Sequence, residues 1–417
     1  MLALLPLAVF IVIYLTVSLI MGDFYKVPLT VAFLISSGVG VATLRHRSVA
    51  ERIRVFSRGA SSENMILMIW IFILAGAFAS SAKAMGSIDA TVALTQALLP
   101  QQMILAGLFL AACFISLSIG TSVGTIVALV PIASGVAHSG GFSIPMTTAV
   151  VVGGAFFGDN LSFISDTTVV ATQTQGCRMN EKFKANLRIV LPAALLITAV
   201  YIVMGLNLHA MQNACTIEPL LVLPYIAVIA IAVCGVNVLV TLTIGCLLTG
   251  IIGMWHGAFD VFGWMQAMNS GIMGMSELII VTILAGGMLE TVRENGGIDL
   301  IIRTITKHVS GSRGGEFSIA ALVTVVNFFT ANNTVAIMTV GPIARQIAQR
   351  FGISARRSAS LLDTFSCIAQ SIIPYGAQLL MAAGLAAINP VDIVPFLYYP
   401  MALCLSAVMA IVIKRKH

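Results

Sequence analysis

Ser118-Ile119-Gly120-Thr121-Ser122-Val123-Gly124-Thr125 interrupts an apolar stretch running from 102 to 137, and Thr330-Ala331-Asn332-Asn333-Thr334 interrupts a second from 316 to 349. Each stretch is long enough for two short helices, so two full spans or one hairpin fit the length equally well. The breaks decide between them. Polar, non-helical backbone is tolerated at membrane depth only where protein buries it or water reaches it. A re-entrant hairpin with an enclosed tip meets that requirement, which predicts one hairpin in each stretch.

The rest of the chain requires a membrane around those hairpins. Mean hydropathy is +1.02 and 9% of residues are charged, against roughly 25% in a soluble domain. Spans are expected near 2–20, 27–44, 64–84, 146–175, 187–206, 218–235, 236–254, 273–292, 358–388 and 391–413. Residues 2–20 lack a preceding basic region and are long for a signal peptide, so they read as the first span. The net charge of +6 would point to nucleic acid in a soluble protein. Here the basic residues follow topology, and anionic lipid headgroups are the expected counterpart, with no nucleic-acid partner. The seven Cys never occur in CxxC spacing and read as small buried hydrophobes rather than zinc ligands or a disulfide frame.

Charge then sets the threading. Arg45, Arg47, Arg52, Arg54, Arg58, Arg178, Lys182, Lys184, Arg188, Arg293, Arg303, Lys307, Arg313, Arg345, Arg350, Arg356, Arg357, Lys414, Arg415 and Lys416 all fall between spans or at their ends. If cytoplasmic loops collect Lys and Arg, one threading puts these inside and leaves Lys26 and Lys83 outside. It places both termini in the cytoplasm and counts ten spans and two hairpins.

The halves repeat. Ala75-Gly76 and Gly86-Ser87-Ile88-Asp89 recur as Ala285-Gly286 and Gly296-Gly297-Ile298-Asp299, and Pro131-Ile132-Ala133 recurs as Pro342-Ile343-Ala344. Asp89 and Asp299 fit caps of interfacial helices after the repeated glycine. Thr121-Ser122 then aligns with Asn332-Asn333. The fold expected is an all-α polytopic membrane protein, with one repeat over 1–209 and another over 210–417. Each repeat holds five spans, a re-entrant hairpin and an interrupted helix. An odd span count turns the second repeat upside down, the inverted topology of many secondary transporters, whose sites lie where interrupted segments meet.

Three carboxylates, Asp159, Asp166 and Asp363, lie deep in apolar sequence, where a charge costs about 2.5–3.5 kcal/mol on the lenient insertion scale. Asp159, Ser162 and Asp166 lie at i, i+3 and i+7, which places them on one helix face. Asp363, Ser366 and Gln370 repeat the spacing, and Ile373-Pro374-Tyr375-Gly376 interrupts that second helix, because proline lacks a donor and clashes with the preceding turn. The candidate cation and proton ligands are Asp159, Asn160, Ser162, Ser165, Asp166, Thr167 and Asp363. Carboxylate, hydroxyl and freed carbonyl oxygens suit a hard cation such as sodium, with Asp159 and Asp166 its charged ligands. A second reading stays open, in which these groups pair between packed helices where Ser and Thr are common.

Thr121, Ser122, Asn332, Asn333 and Thr334 sit at the hairpin tips, where half-helix N-termini offer N–H groups to an anion and freed carbonyls take a cation. A polar kink with bound water fits the same residues. His46, His308 and His417 fall inside and His138, His209 and His256 outside, so any proton carrier in the membrane must be a carboxylate. Glu277 and Glu290 lie near span ends, where they can snorkel. The Gly311–Gly315 turn lacks the Gly-Lys-Ser/Thr of a phosphate loop.

The block Gly158-Asp159-Asn160-Leu161-Ser162 through Ser165-Asp166-Thr167-Thr168, with Ser118–Thr125, resembles the NhaC-type sodium/proton antiporters. These belong to a broad ion transporter superfamily that also holds divalent anion/sodium symporters. The resemblance implies a scaffold carrying a mobile transport domain, elevator-like movement, a homodimer, and cation ligands at Thr121, Ser122, Asp159, Asn160, Ser162, Ser165, Asp166, Asn333 and Thr334. The chain departs from the superfamily's symmetry: Ile373-Pro374-Tyr375-Gly376 stands where the first half has Ser165-Asp166, so the two sites should differ.

The function expected is secondary active transport in the inner membrane, by sodium/proton antiport, with sodium and protons as partners and no other cofactor. Sodium-coupled symport of a small organic solute, an amino acid or a carboxylate, is the alternative. An intramembrane aspartyl protease would need a Gly-x-Gly-Asp turn, and Phe156-Phe157-Gly158-Asp159 supplies half of it, so no enzyme activity is expected.

Overall fold

The computed structural model describes residues 2–21, 29–98, 100–163, 165–206, 218–306 and 310–413. Lys26, Lys307, Lys414, Arg415, Lys416, His209, His308, His417 and Cys215 fall outside the described residues.

Among the described residues the chain is helical without strands. The first half runs α1 (Leu5–Met21), α2 (Leu29–Thr43), α3 (Val49–Ala60), α4 (Glu63–Ala84), α5 (Ser87–Leu98), α6 (Ile104–Ile119), α7 (Ser122–Gly140), α8 (Ile144–Leu161), α9 (Asp166–Gln175) and α10 (Met179–Leu206). The second runs α11 (Pro219–Val233), α12 (Val238–His256), α13 (Val261–Gly274), α14 (Ser276–Glu294), α15 (Gly297–Thr306), α16 (Gly311–Thr330), α17 (Asn333–Arg350), α18 (Ala355–Ile372), α19 (Ala377–Ala386), the short α20 (Pro390–Ile393) and α21 (Tyr398–Val412).

Among the described residues, six helical stretches are long and apolar enough to cross a membrane, or seven with the bent pair Pro390–Phe396 and Tyr398–Val412 counted as one. Large apolar residues such as Leu34, Leu195, Leu247, Ile251 and Leu405 are exposed, while Asp159, Asn160, Lys182, Asn186 and Asp363 are buried. Water would favour the opposite arrangement; lipid favours this one.

Both expected helix breaks form. Gly120 ends α6 in the left-handed region and Thr121 caps α7; Ala331 ends α16 likewise and Asn332 caps α17. Glycine takes a positive φ freely, but Ala331 at φ 47° carries strain of about 1–2 kcal/mol. Both arms of the first pair pack on α8, and both arms of the second on α18. The interruption at Ile373-Pro374-Tyr375-Gly376 separates α18 from α19.

Two segments differ from expectation. The basic stretch after residue 45 forms the amphipathic α3, begun by a reciprocal cap between Ser48 and Glu51. Residues 261–272, which lie between the expected spans, form most of α13, where the Asp260 side chain accepts from Gly263 N at 2.7 Å. These two helices explain the repeated Ala-Gly pairs. A Cβ at Gly76 of α4 would lie 2.5 Å from the Gly271 oxygen of α13, and one at Gly59 of α3 would lie 2.4 Å from the Gly286 oxygen of α14. Each repeated glycine thus marks a close helix crossing. Arg58 fastens the second by ion pairs to Glu290 and Glu294, both at 2.7 Å.

The helices sort into two bundles, each drawing on both halves. Helices α1–α5 pack chiefly with one another and with α11–α14, and α6–α10 with α16–α21, while α15 lies between the bundles against α14 and α16.

Candidate functional site

The second bundle is organised around the gap between α8 and α9. Gly158 allows it: a Cβ there would lie 2.3 Å from Leu117 N, so α6 rests directly on the last turn of α8. The helix ends at Leu161, Ser162 and Ser165 are extended, and Asp166 starts α9. This corrects the expectation of one helix face. Asp159 is 5% exposed, whereas Asp166 is exposed in the first turn of the next helix.

Asp159 is the meeting point. Ser165 Oγ donates to its Oδ1 at 2.6 Å, and Ser122 Oγ, from the first tip, donates to Oδ2 at 3.1 Å. Asn333 Nδ2, from the second tip, reaches Oδ2 at 3.5 Å. Thr167 Oγ1 lies 2.8 Å from Ser165 Oγ. Ser122 also receives Gln378 Nε2 at 3.2 Å; Gln378 Oε1 receives Gln370 Nε2 at 2.8 Å, and Gln370 Nε2 also donates to Ala331 O at 3.0 Å. A chain of hydrogen bonds therefore runs from one helix break to the other by way of α19 and α18.

A cavity of about 480 Å³ opens at this point between the bundles. Asp159, Asp166, Thr167 and both tips form one wall, Thr121, Asn332 and Thr334 included. Leu67, Met68 and Ile71 of α4 and the turn Gly235–Leu239 form the other. Asn332 otherwise caps its own helix, accepting from Val335 N at 3.0 Å, and Ser162 Oγ donates to Leu117 O at 3.1 Å.

Asn160 and Asp363 belong to a second, enclosed cluster. Lys182 Nζ donates to Asp363 Oδ2 at 2.5 Å and to Asn160 O and Thr168 Oγ1 at 2.6 Å each. Asn186 Nδ2 donates to Asp363 Oδ2 at 3.0 Å and Asn160 Oδ1 at 2.7 Å. Lys182 is 1% exposed and Asp363 is fully buried. Lys182 is therefore not a loop cation, as the charge threading counts it; α10 starts eight residues before the expected span and carries it into the core. The signal was present in the spacing: Lys182, Asn186, Ile189 and Ala193 are buried on one face, while Lys184 and Arg188 are exposed. Gln378, also missed, lies just beyond the Pro374 interruption.

The site's dependence on backbone contact is testable at Gly158. Gly158→Ala forces α6 away from α8, an overpacking effect of about 1–3 kcal/mol. It should also draw Ser122 off Asp159. The expected result is a folded protein with a lower melting midpoint, read by thermal melting. An unchanged midpoint would mean that α6 does not rest on Gly158.

The chain matches the Na+/H+ antiporter family over residues 1–206 and 210–414. It is 23% identical to the Na+/H+ antiporter NhaC of Bacillus subtilis, over 80% of this chain and 80% of that protein. It is 22% identical to the malate-2H+/Na+-lactate antiporter of the same organism, over 68% and 67% respectively. The solved YdaH transporter of Alcanivorax borkumensis aligns over 87% of this chain and 86% of that one, at 14% identity and a TM-score of 0.42. With apolar helices long enough for several membrane crossings and a family match over nearly its whole length, the chain belongs to the Na+/H+ antiporter family: it is a multi-pass membrane transporter and not an enzyme.

Proposed function

We propose that the protein exchanges sodium for protons at a single carboxylate, Asp159, which holds either ion in turn. The observation that carries this reading is the placement of Asp159. It is a buried carboxylate at a helix break, contacted from Ser122 and Asn333 at the two other breaks, on the wall of a cavity between the bundles. Ser122, Ser165, Thr167 and the end of α8 add neutral oxygens, the ligand type hard cations take. Asp166 stands at the cavity mouth and attracts cations toward the site.

In this reading the two halves are inverted repeats with both termini cytoplasmic, and the bundle of α6–α10 with α16–α21 moves against the other. The division into two bundles, with the cavity between them and the ion ligands on one, supports an elevator-like movement. A symport of sodium with a small organic solute is the second reading. It is favoured by a cavity far larger than a bare ion and by the similarity to a protein named for malate and lactate exchange.

Proton and sodium competing for one carboxylate make sodium affinity pH-dependent. Below the pH at which Asp159 takes up its proton, apparent sodium affinity should weaken tenfold per pH unit. Above that pH the carboxylate is charged and affinity should be constant. Proteoliposomes loaded with a pH dye and titrated with sodium at each pH give the measurement. Affinity flat with pH, together with sodium-dependent uptake of a labelled amino or hydroxy acid, rejects antiport in favour of symport.

A further inference from the structure

We propose that the Lys182 ammonium is a tethered cation filling a second, sodium-type site made by Asp363, Asn160 and Thr168, so that one exchangeable sodium is bound where two would otherwise fit. The inference rests on the reading of Asp159 as the exchangeable site.

The ligand set is the argument. An ammonium has three hydrogens, and here they go to one carboxylate oxygen, one main-chain carbonyl and one hydroxyl, at 2.5 to 2.6 Å. All three ligands are oxygens of the kinds that coordinate hard cations. The carbonyl of Asn160 is free to serve because α8 stops at Leu161, and the last carbonyls of a helix lack partners from their own helix. Asn186 holds Asp363 and Asn160 together, and its own Oδ1 is buried without a hydrogen-bond partner among the described residues. That oxygen is a further potential cation ligand.

Two features distinguish a fixed ion from an exchanging one. Neither Lys182 nor Asp363 lines the cavity at Asp159. All three ammonium hydrogens are already bound. The ligands also come from α8, α9, α10 and α18, all in one bundle. The tethered cation therefore stays with the Asp159 site however that bundle moves.

The charge count follows. Asp363 and Lys182 cancel, leaving the single negative charge of Asp159 for one sodium or one proton to neutralise. Loaded with either ion, the core is neutral, and one-for-one exchange moves no net charge.

The test counts bound sodium directly on the purified full-length protein, using radiolabelled sodium at equilibrium. Wild type should bind one sodium per chain. Asp159→Asn should bind none, and sodium binding by that variant at the wild-type count would reject the Asp159 reading by itself. Lys182→Ala empties the second site and should bind two. The double variant Lys182→Ala/Asp363→Asn lacks the second site's charge and should return to one. A folded Lys182→Ala protein that binds one sodium overturns the tethered-cation proposal, because a purely structural ion pair creates no new site when broken. Should Lys182→Ala fail to fold without sodium, added sodium should restore it. Failure of sodium to do so while the double variant folds rejects the proposal, and a double variant that fails to fold also counts against it.

Discussion

Replacing Asp159 with Asn is expected to abolish sodium-driven proton exchange in proteoliposomes while leaving the protein folded. The carboxylate has Ser165 Oγ at 2.6 Å and Ser122 Oγ at 3.1 Å, and the amide oxygen of Asn can accept from one of them. What Asn cannot supply is charge. Removing one partner of a buried charge interaction costs about 2–5 kcal/mol, which is a loss in sodium affinity of roughly thirtyfold to several thousandfold. Because Asn also carries no exchangeable proton, transport should stop even at sodium concentrations that restore occupancy. Thermal stability in sodium-free buffer should hold or rise, since a charge no longer has to be kept out of water. Asp166→Asn should behave differently. It sits exposed on the cavity wall, where a single charge is worth about 0.2–1 kcal/mol, so sodium affinity should fall only a few-fold and exchange should persist. Wild-type sodium dependence in the Asp159 variant would remove that residue from the mechanism, and equal losses in both variants would restore the idea of a shared site.

That contrast between the two aspartates was hidden in the sequence for a physical reason. A seven-residue separation places two side chains on one face only if the helix is continuous, and no proline announces the break after Leu161. The signal that was available is subtler: Ser165 followed by Asp166 reads as a helix start, with a Ser at the cap position and an acid in the first turn, and α9 begins there, although the Ser165 hydroxyl turns to Asp159 instead of capping it. The other breaks were legible because the chemistry is blunt. Proline ends α18, and small polar residues in apolar sequence mark both hairpin tips. The α13 helix was obscured because Gln266, Asn269 and Ser270 dilute its apolar pattern. Lys182 was concealed by its company. Four basic residues between 178 and 188 look like one cytoplasmic cluster, and only the burial of the Lys182 face, continuous with Asn186 and Ile189, separates it from Lys184 and Arg188.

The largest effect on stability is expected where that hidden lysine is removed. In sodium-free buffer, Lys182→Ala leaves Asp363, which is fully buried, with Asn186 Nδ2 at 3.0 Å and the Cys367 thiol at 4.0 Å as donors. An uncompensated buried charge of this kind destabilises by about 3–5 kcal/mol, which corresponds to a melting midpoint lowered by about 3–6 °C in a chain of 417 residues. Adding Asp363→Asn removes the unpaired charge and should recover most of the loss, because the cost lies in the stranded carboxylate rather than in the missing lysine stem. A residual deficit is expected from the space the four-carbon stem filled. Thermal melting of wild type, the single variant and the double variant, all without sodium, measures the two contributions separately. If the double variant is as unstable as Lys182→Ala alone, the lysine contributes through packing. The ion pair across α10 and α18 would then not be what holds the broken helix ends of the second bundle in place.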